Sequence, residues 1–328
     1  MCVLLLATLN LTSLPTDMLS RASLIALALC VSVLVRPSAA IDWPEHAVAW
    51  WYVPDNNWPQ LIEQVAAHRD VVTSVMVGCG PQVSDSGNVT TAIDPNCFDP
   101  ETGNGTLPAL AAIGVRPEIW FGAGNCSIDS YRLMWSDTVN SVQTLVDLAQ
   151  NLNISGWNMD FEPQSDNCQG VPTGDAADAV LYAKWLAALR AALNPIGVRV
   201  TADVAMWSPA INQFAVLAPS VDRLFDMDTY NADSLAQWLS AYDHLVNPQV
   251  PLGVAGVGLG CWVDGGNNNT WSVTAESATE RIAQIKKDNV PEIGMFRLLP
   301  QTYEIPPAWP ESFWWDALAS FTDSSRTE

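Results

Sequence analysis

The stretch Ile154-Ser155-Gly156-Trp157-Asn158-Met159-Asp160-Phe161-Glu162-Pro163 holds the residues whose types and spacing best suit chemistry. In a β-strand successive side chains point to opposite faces, so Asn158, Asp160 and Glu162 share one face and Trp157, Met159 and Phe161 the other. Two carboxyl groups one residue apart, at the end of a strand that a proline terminates, repel each other. Repulsion together with partial burial raises the pKa of at least one of them. A glutamic acid kept protonated near neutral pH is a general acid, able to donate its proton to a departing oxygen. The plain alternative is a solvated strand edge on which Glu162 merely introduces a loop, and the elements around the stretch decide between the two.

Those elements alternate. Strands are predicted at Ala47–Val53, Val71–Gly78, about Arg116–Phe121, the opening stretch, Val198–Met206, Leu224–Tyr230, Pro251–Gly260 and Glu292–Leu298. Between them, apolar residues recur at helical spacing in Asn57–His68, Leu107–Ile113, Ser136–Leu152, Ala176–Leu193, Ser234–Leu245 and Ala275–Lys287. A brief helix is expected at Asn212–Leu217 and a closing one at Glu311–Phe321, while Asn194-Pro195 stops the helix before it. Eight βα units in strict alternation imply an α/β fold with a parallel sheet, closed as a single (β/α)8 TIM barrel. In such a barrel the site lies at the C-terminal ends of the strands, where the opening stretch places Glu162.

The chain has 328 residues and a formal charge of −21, with three scattered histidines. Phosphate binding needs a basic footprint, so nucleic acid is excluded as a partner. There is no G-x-S-x-G elbow. The glycine run Gly253–Gly260 lacks the full G-x-G-x-x-G spacing and reads as a close-packed barrel strand. No cofactor and no metal are expected. Of fifteen tryptophans, Trp50, Trp51, Trp207 and Trp262 are candidate platforms for flat, apolar ring faces.

Residues 1–40 read as a secretory signal segment. The apolar run Leu24–Val35 follows Arg21 and precedes Ser38-Ala39-Ala40, a small-residue cleavage pattern. The run is too short to serve as a stable membrane anchor. Residues 41–328 carry no linker or break in composition and are expected to form one domain, acting as a monomer. Five cysteines remain after Ala40, namely Cys79, Cys97, Cys126, Cys168 and Cys261, and sequons begin at Asn88, Asn104, Asn125, Asn153 and Asn268. Both features suit an oxidising, glycosylating route, with the protein secreted or delivered to a lysosome or vacuole. All five cysteines follow predicted strand ends, and Cys79 with Cys97, in one loop, is the easiest pair.

Ser155-Gly156-Trp157-Asn158-Met159-Asp160-Phe161-Glu162 resembles the D-G-x-D-x-D-x-E signature of glycoside hydrolase family 18, the retaining chitinases and their relatives. Ser155 and Asn158 stand where the family has its first two aspartates, and the last two acids are intact as Asp160 and Glu162. Gly156–Glu162 and Val200–Pro209 are similar to the di-N-acetylchitobiase branch, which also has Asn at the second position. Asp228-Thr229-Tyr230-Asn231 resembles the family's Met-x-Tyr-Asp pattern, with Asp228 for Met and Asn231 for Asp. Gly294-Met295-Phe296 offers Phe296 for the family's aromatic floor.

The resemblance implies a hydrolase acting on β-linked N-acetylglucosamine, in chitin, chitooligosaccharides or the chitobiose core of N-glycans. It implies a retaining, substrate-assisted mechanism. Glu162 would be the acid, Asp160 would orient the substrate's acetamido N–H, and Tyr230 would bond its carbonyl oxygen. Asn158 would support Asp160, with Asp228, Asn231, Trp207, Phe296 and Trp50 as further substrate contacts. By alternation Asp226, Asp228 and Tyr230 would share one face. An uncharged Asn158 leaves one acid fewer to take up the Asp160 proton, which predicts a narrower or acid-shifted pH range. Two other readings are a chitinase-like lectin that binds glycans without cleaving them, suggested by the four departures Ser155, Asn158, Asp228 and Phe296, and an endo-β-N-acetylglucosaminidase with a wider cleft.

Overall fold

The computed structural model describes residues 43–52, 58–122, 128–163, 173–230, 234–246, 250–261, 273–296 and 312–323. The signal segment, Cys126, Cys168, Asn231 and Trp262 lie outside them. Eight strands close into a barrel in sequence order. They are β1 (Ala47–Tyr52), β2 (Ser74–Val77), β3 (Arg116–Gly122), β4 (Gly156–Asp160), β5 (Arg199–Val204), β6 (Arg223–Asp226), β7 (Ala255–Gly260) and β8 (Glu292–Phe296), and every neighbouring pair is parallel. The helices are α1 (Trp58–Ala67), α2 (Thr106–Ala112), α3 (Ile128–Ser136), α4 (Thr138–Leu152), α5 (Ala176–Leu193), α6 (Phe214–Leu217), α7 (Leu235–Leu245), α8 (Ala275–Lys287) and α9 (Ser312–Thr322). The expected (β/α)8 barrel is therefore present. Among the described residues no helix is long and apolar enough to cross a membrane.

Local chemistry sets several boundaries. Asp175 caps α5 by accepting from the N–H groups of Ala177 and Asp178, while the Asp178 carboxylate takes the Asp175 N–H at 2.7 Å, a reciprocal pair that satisfies orphan donors of the first turn. The helix ends before Asn194-Pro195, as expected. The helix expected over Ser136–Leu152 is present as α4, and a further helix not expected from sequence, α3, precedes it and ends at Ser136. A second difference lies after β6, which stops at Asp226 rather than running to Tyr230. The Asp226 carboxylate accepts the Asp228 N–H at 2.9 Å, and the Thr229 hydroxyl donates to the carbonyls of Asp226 and Gly258. These bonds turn Asp228–Tyr230 into a short 3-10 helix, so the strand alternation that would align Asp226, Asp228 and Tyr230 does not apply.

The strands are buried on both faces, as parallel strands flanked by helices must be. Outward residues such as Val48, Trp50, Trp157 and Met159 join the layer beneath the helices, while a separate inner cluster gathers Ala49, Trp51, Met76, Ala205, Phe225, Met227 and Tyr230. The floor of the barrel is ionic. Arg199 is bidentate to Glu118, at 2.7 and 2.9 Å, and also bonds Glu292, which Arg223 shares at 2.8 Å. The Trp43 ring closes over Arg199, 3.5 Å from its centroid. Gly156 lies between Glu118 and Arg199 in the register, and a Cβ there would strike the Glu118 carboxylate, so only glycine fits. Cys79 and Cys97 form a disulfide, with Cα atoms 5.7 Å apart, in the loop after β2; Cys261 is buried directly after β7.

Candidate active site

Strand register brings the acidic residues together. On β4 the inward positions are Gly156, Asn158 and Asp160, flanked by Glu118, Trp120 and Gly122 on β3 and by Arg199, Thr201 and Asp203 on β5. The interior thus climbs from the ionic floor through an amide layer to a layer of carboxyl groups at the mouth. On the outer side, Phe161 is held edge-on or tilted by Phe121, Tyr131, Trp135, Tyr182 and Trp185, with centroids between 4.7 and 6.2 Å. Because Phe161 is fixed, so is the direction of the carboxyls on either side of it.

Asp160 is buried, and its Oδ2 accepts the indole N–H of Trp120 at 2.9 Å. Its Oδ1 is buried with no hydrogen-bond partner among the described residues. Burial pushes the Asp160 carboxyl well above the usual carboxylate range, and the carboxylates of Glu162 and Asp203 push the same way against the Trp120 bond. Glu162 stands just beyond the end of β4, half-buried, and its Oε2 accepts the indole N–H of Trp207 at 2.6 Å. Repulsion from the neighbouring Glu162 carboxylate thus adds to burial in raising Asp160.

Asn158 is wholly buried and fully used. Its Oδ1 accepts from Trp51 at 3.2 Å, and its Nδ2 donates to Thr201 at 3.0 Å and to Asp203 at 2.9 Å. Asp203 was not among the site residues expected from sequence. Its signal was present in Val200–Met206, whose alternation puts Thr201 and Asp203 on one face, but lateral register was needed to show that this face meets Asp160. Ser155 lies below β4, where its N–H donates to the Pro117 carbonyl at 2.7 Å. Seven residues at ~3.3 Å each separate it from Glu162 by roughly 20 Å, so its departure from the signature falls at the opposite end of the barrel from the carboxyls.

Tyr230 reaches the inner cluster despite the 3-10 turn. Its ring stacks on Phe296 at 5.1 Å, and Trp51 meets Phe225, Tyr230 and Phe296 edge-on at 5.2, 6.0 and 6.5 Å. Gly258 makes the room, since a Cβ there would run into the Tyr230 ring and the Asp226 carbonyl. Burial raises the Tyr230 hydroxyl far above its ordinary pKa, and the carboxylates of Asp203, Asp160, Glu162 and Asp226 add to the effect. It is therefore a neutral donor. Asp228 is partly occupied at the rim, where its Oδ2 accepts the Met206 N–H at 2.8 Å; burial raises its carboxyl, with the bonds from Met206 and Asp226 opposing.

Trp50 is not at the site. It is 0% exposed and points outward, 5.0 Å from Trp315 of α9. Its neighbour Trp51 takes the inward position, because every residue of Ala47–Tyr52 is buried and an all-apolar strand does not reveal which alternate residue faces the lumen. Asp160, Glu162, Asn158, Tyr230, Trp207 and Phe296 are brought together, Asp228 lies at their edge, and Asn231 is outside the described residues. Among the described residues no group of three or more His, Cys, Asp or Glu is arranged to hold a metal ion.

Comparison with known protein families gives no match, and comparison with curated proteins gives none either. Solved structures do match. A chitinase from Chromobacterium violaceum has a TM-score of 0.64 at 15% identity, covering 86% of this chain and 100% of that one. A chitinase from Bacteroides thetaiotaomicron has a TM-score of 0.64 at 10% identity, over 86% and 98% of the two chains. The spore cortex-lytic enzyme SleL of Bacillus megaterium has 0.61 at 12% identity, over 84% and 74%. The chain shares the closed (β/α)8 barrel of these enzymes.

Proposed function

We propose that this protein is a glycoside hydrolase of the family 18 type that cleaves β-linked N-acetylglucosamine, with Glu162 as the acid. The observation that carries the reading is the pair at the end of β4: half-buried Glu162, held by Trp207, directly beyond buried Asp160, whose Oδ1 has no partner among the described residues. The resemblance of Gly156–Glu162 to the family signature and the fold shared with two solved chitinases support it. In this mechanism Glu162 gives its proton to the glycosidic oxygen as the bond from C1 breaks. The carbonyl oxygen of the substrate's 2-acetamido group forms a bond to C1 from the opposite face. Asp160 Oδ1 accepts the acetamido N–H and steadies the positive charge, and the Tyr230 hydroxyl donates to the acetamido oxygen. Water then attacks C1, returns a proton to Glu162 and restores the original anomer.

The di-N-acetylchitobiase branch is the finer assignment, supported by the Asn158 amide beside Asp203. The disulfide after β2 agrees with secretion or a lysosome-like compartment, and a monomer is the simplest working state. Glu162→Gln tests the function: the variant should keep its circular dichroism and melting temperature and lose nearly all hydrolysis of a chitooligosaccharide series. Undiminished turnover refutes the assignment. Glycan binding by the wild-type protein without any released product selects the lectin instead.

A further inference from the structure

Strand β5 carries a buried carboxyl that the signature on β4 does not include. Asp203 is 1% exposed; its Oδ1 accepts from Asn158 at 2.9 Å and its Oδ2 is buried with no partner among the described residues. The pairs Asn158↔Thr201 and Met159↔Ala202 carry on to set Asp203 beside Asp160 on the inner face, one strand over, a spacing of ~4.8 Å between strands. The groups that face Asp203 come from every side: Trp51 on β1, Glu118 on β3, Asn158, Asp160 and Glu162 along β4, Tyr182 on α5, and Tyr230 after β6. One layer below on its own strand, Arg199 is engaged by Glu118 and Glu292.

Asp160, Glu162 and Asp203 therefore form a cluster of three carboxyls with no cation among the described residues in their layer to offset it. Such a cluster cannot ionise fully, and at neutral pH it retains at least one proton. The Asn158 amide does not titrate, so it cannot hold that proton; it fixes the orientation of Asp203 instead. We propose that Asp203 is a positioning residue that holds the proton of the buried cluster from β5, leaving Asp160 anionic to receive the substrate's acetamido N–H. The proton rests on Asp203 and the negative charge on Asp160, and the pair exchanges them as Glu162 loses and regains its own proton. Burial, and the charge of Glu162, push Asp203 in the direction this requires and outweigh the opposing bonds from Asn158 and Trp51. The uncharged Asn158 then costs the site no acid, because the acid sits on the neighbouring strand.

The inference rests on the hydrolase reading, and its test separates the two. Wild type, Asp203→Asn, Asn158→Asp and the exchange variant Asn158→Asp/Asp203→Asn are compared on a chitooligosaccharide across pH 3–9, and each is melted across the same range. Asp203→Asn should lower kcat about ten-fold or more with KM within about two-fold. It should also move the pH–rate profile down by about one unit, since two coupled carboxyls hold their protons less tightly than three. The exchange variant, which returns a carboxyl to the same layer from β4, should recover most of kcat. An unchanged profile in Asp203→Asn, or an exchange variant no better than Asp203→Asn, overturns the proposal. If wild type releases no product, the hydrolase reading fails and the melts decide for Asp203: wild-type Tm should fall more steeply than that of Asp203→Asn as pH rises above about 4. Equal slopes overturn it.

Discussion

Replacing Asn158 by leucine asks how much the amide layer contributes to the barrel. Leucine keeps the branched shape of asparagine and opens no cavity; its bulkier methyl groups add some overpacking in the same direction as the loss of hydrogen bonding. Three buried groups lose a partner: the Trp51 indole N–H, the Thr201 hydroxyl and Oδ1 of Asp203. A buried polar group left without a partner costs about 1–3 kcal/mol. The Thr201 hydroxyl loses only an accepted bond and keeps its own O–H free to donate, so two full penalties are the sound estimate, about 2–6 kcal/mol. Burying the leucine methyl groups offsets roughly 1 kcal/mol of this. The net loss is about 3 kcal/mol, a large part of the ~5–15 kcal/mol by which a domain is stable, and at this chain length it lowers Tm by roughly 5–10 °C. Urea unfolding followed by tryptophan fluorescence, with circular dichroism as a second probe, measures it. A Leu variant within 1 kcal/mol of wild type would refute the argument that the network orders the site.

Three further outcomes follow from the same geometry. Stability should decline as pH rises above about 4: folding raises the carboxyls of Asp160, Asp203 and Asp226, so the folded state keeps protons that the unfolded chain has released. Glu292, drawn down by Arg199 and Arg223 in spite of its burial, works in the opposite sense and loses its contribution only in strong acid. Melting temperatures from pH 3 to 9 at constant ionic strength should therefore peak on the acid side of neutrality, and a flat curve contradicts the shifts. Trp207→Phe keeps the ring but removes the 2.6 Å bond to Glu162; a charge-assisted bond of about 1.5–3 kcal/mol, discounted for partial exposure, predicts a roughly ten-fold fall in kcat with Tm nearly unchanged. Gly258→Ala drives a methyl group into the Tyr230 ring and the Asp226 carbonyl, so it should cost about 1–3 kcal/mol and lower kcat; an active variant of wild-type stability would show that Tyr230 moves freely.

What was legible in the sequence was what is local along the chain. Alternation within Gly156–Asp160 put Asn158 and Asp160 on one face, and the Asn194-Pro195 stop ended α5. The sequence reading failed where a position depends on a neighbouring strand or on a backbone turn. In the all-apolar β1 no polar residue marks the lumen, so Trp50 and Trp51 were interchangeable until β2 and β8 fixed the register. After Asp226, side-chain bonds to the backbone override the tendency of Phe225–Tyr230 to continue as a strand.

Asp203 is the instructive omission. A signature read along one strand treats the change from Asp to Asn at position 158 as a lost acid, because it compares only residues joined in sequence. In a closed barrel the nearest neighbours of an inward side chain lie on the flanking strands as much as two residues along its own. The Asn158 amide meets Trp51, Thr201 and Asp203 from three different elements or positions, none within forty residues of it. The quantity to preserve is the number of carboxyls in the layer, and β5 supplies what β4 does not. An asparagine at position 158 suits this arrangement, since its Nδ2 donates to Oδ1 of the buried Asp203 carboxyl and fixes its orientation while taking up no proton itself.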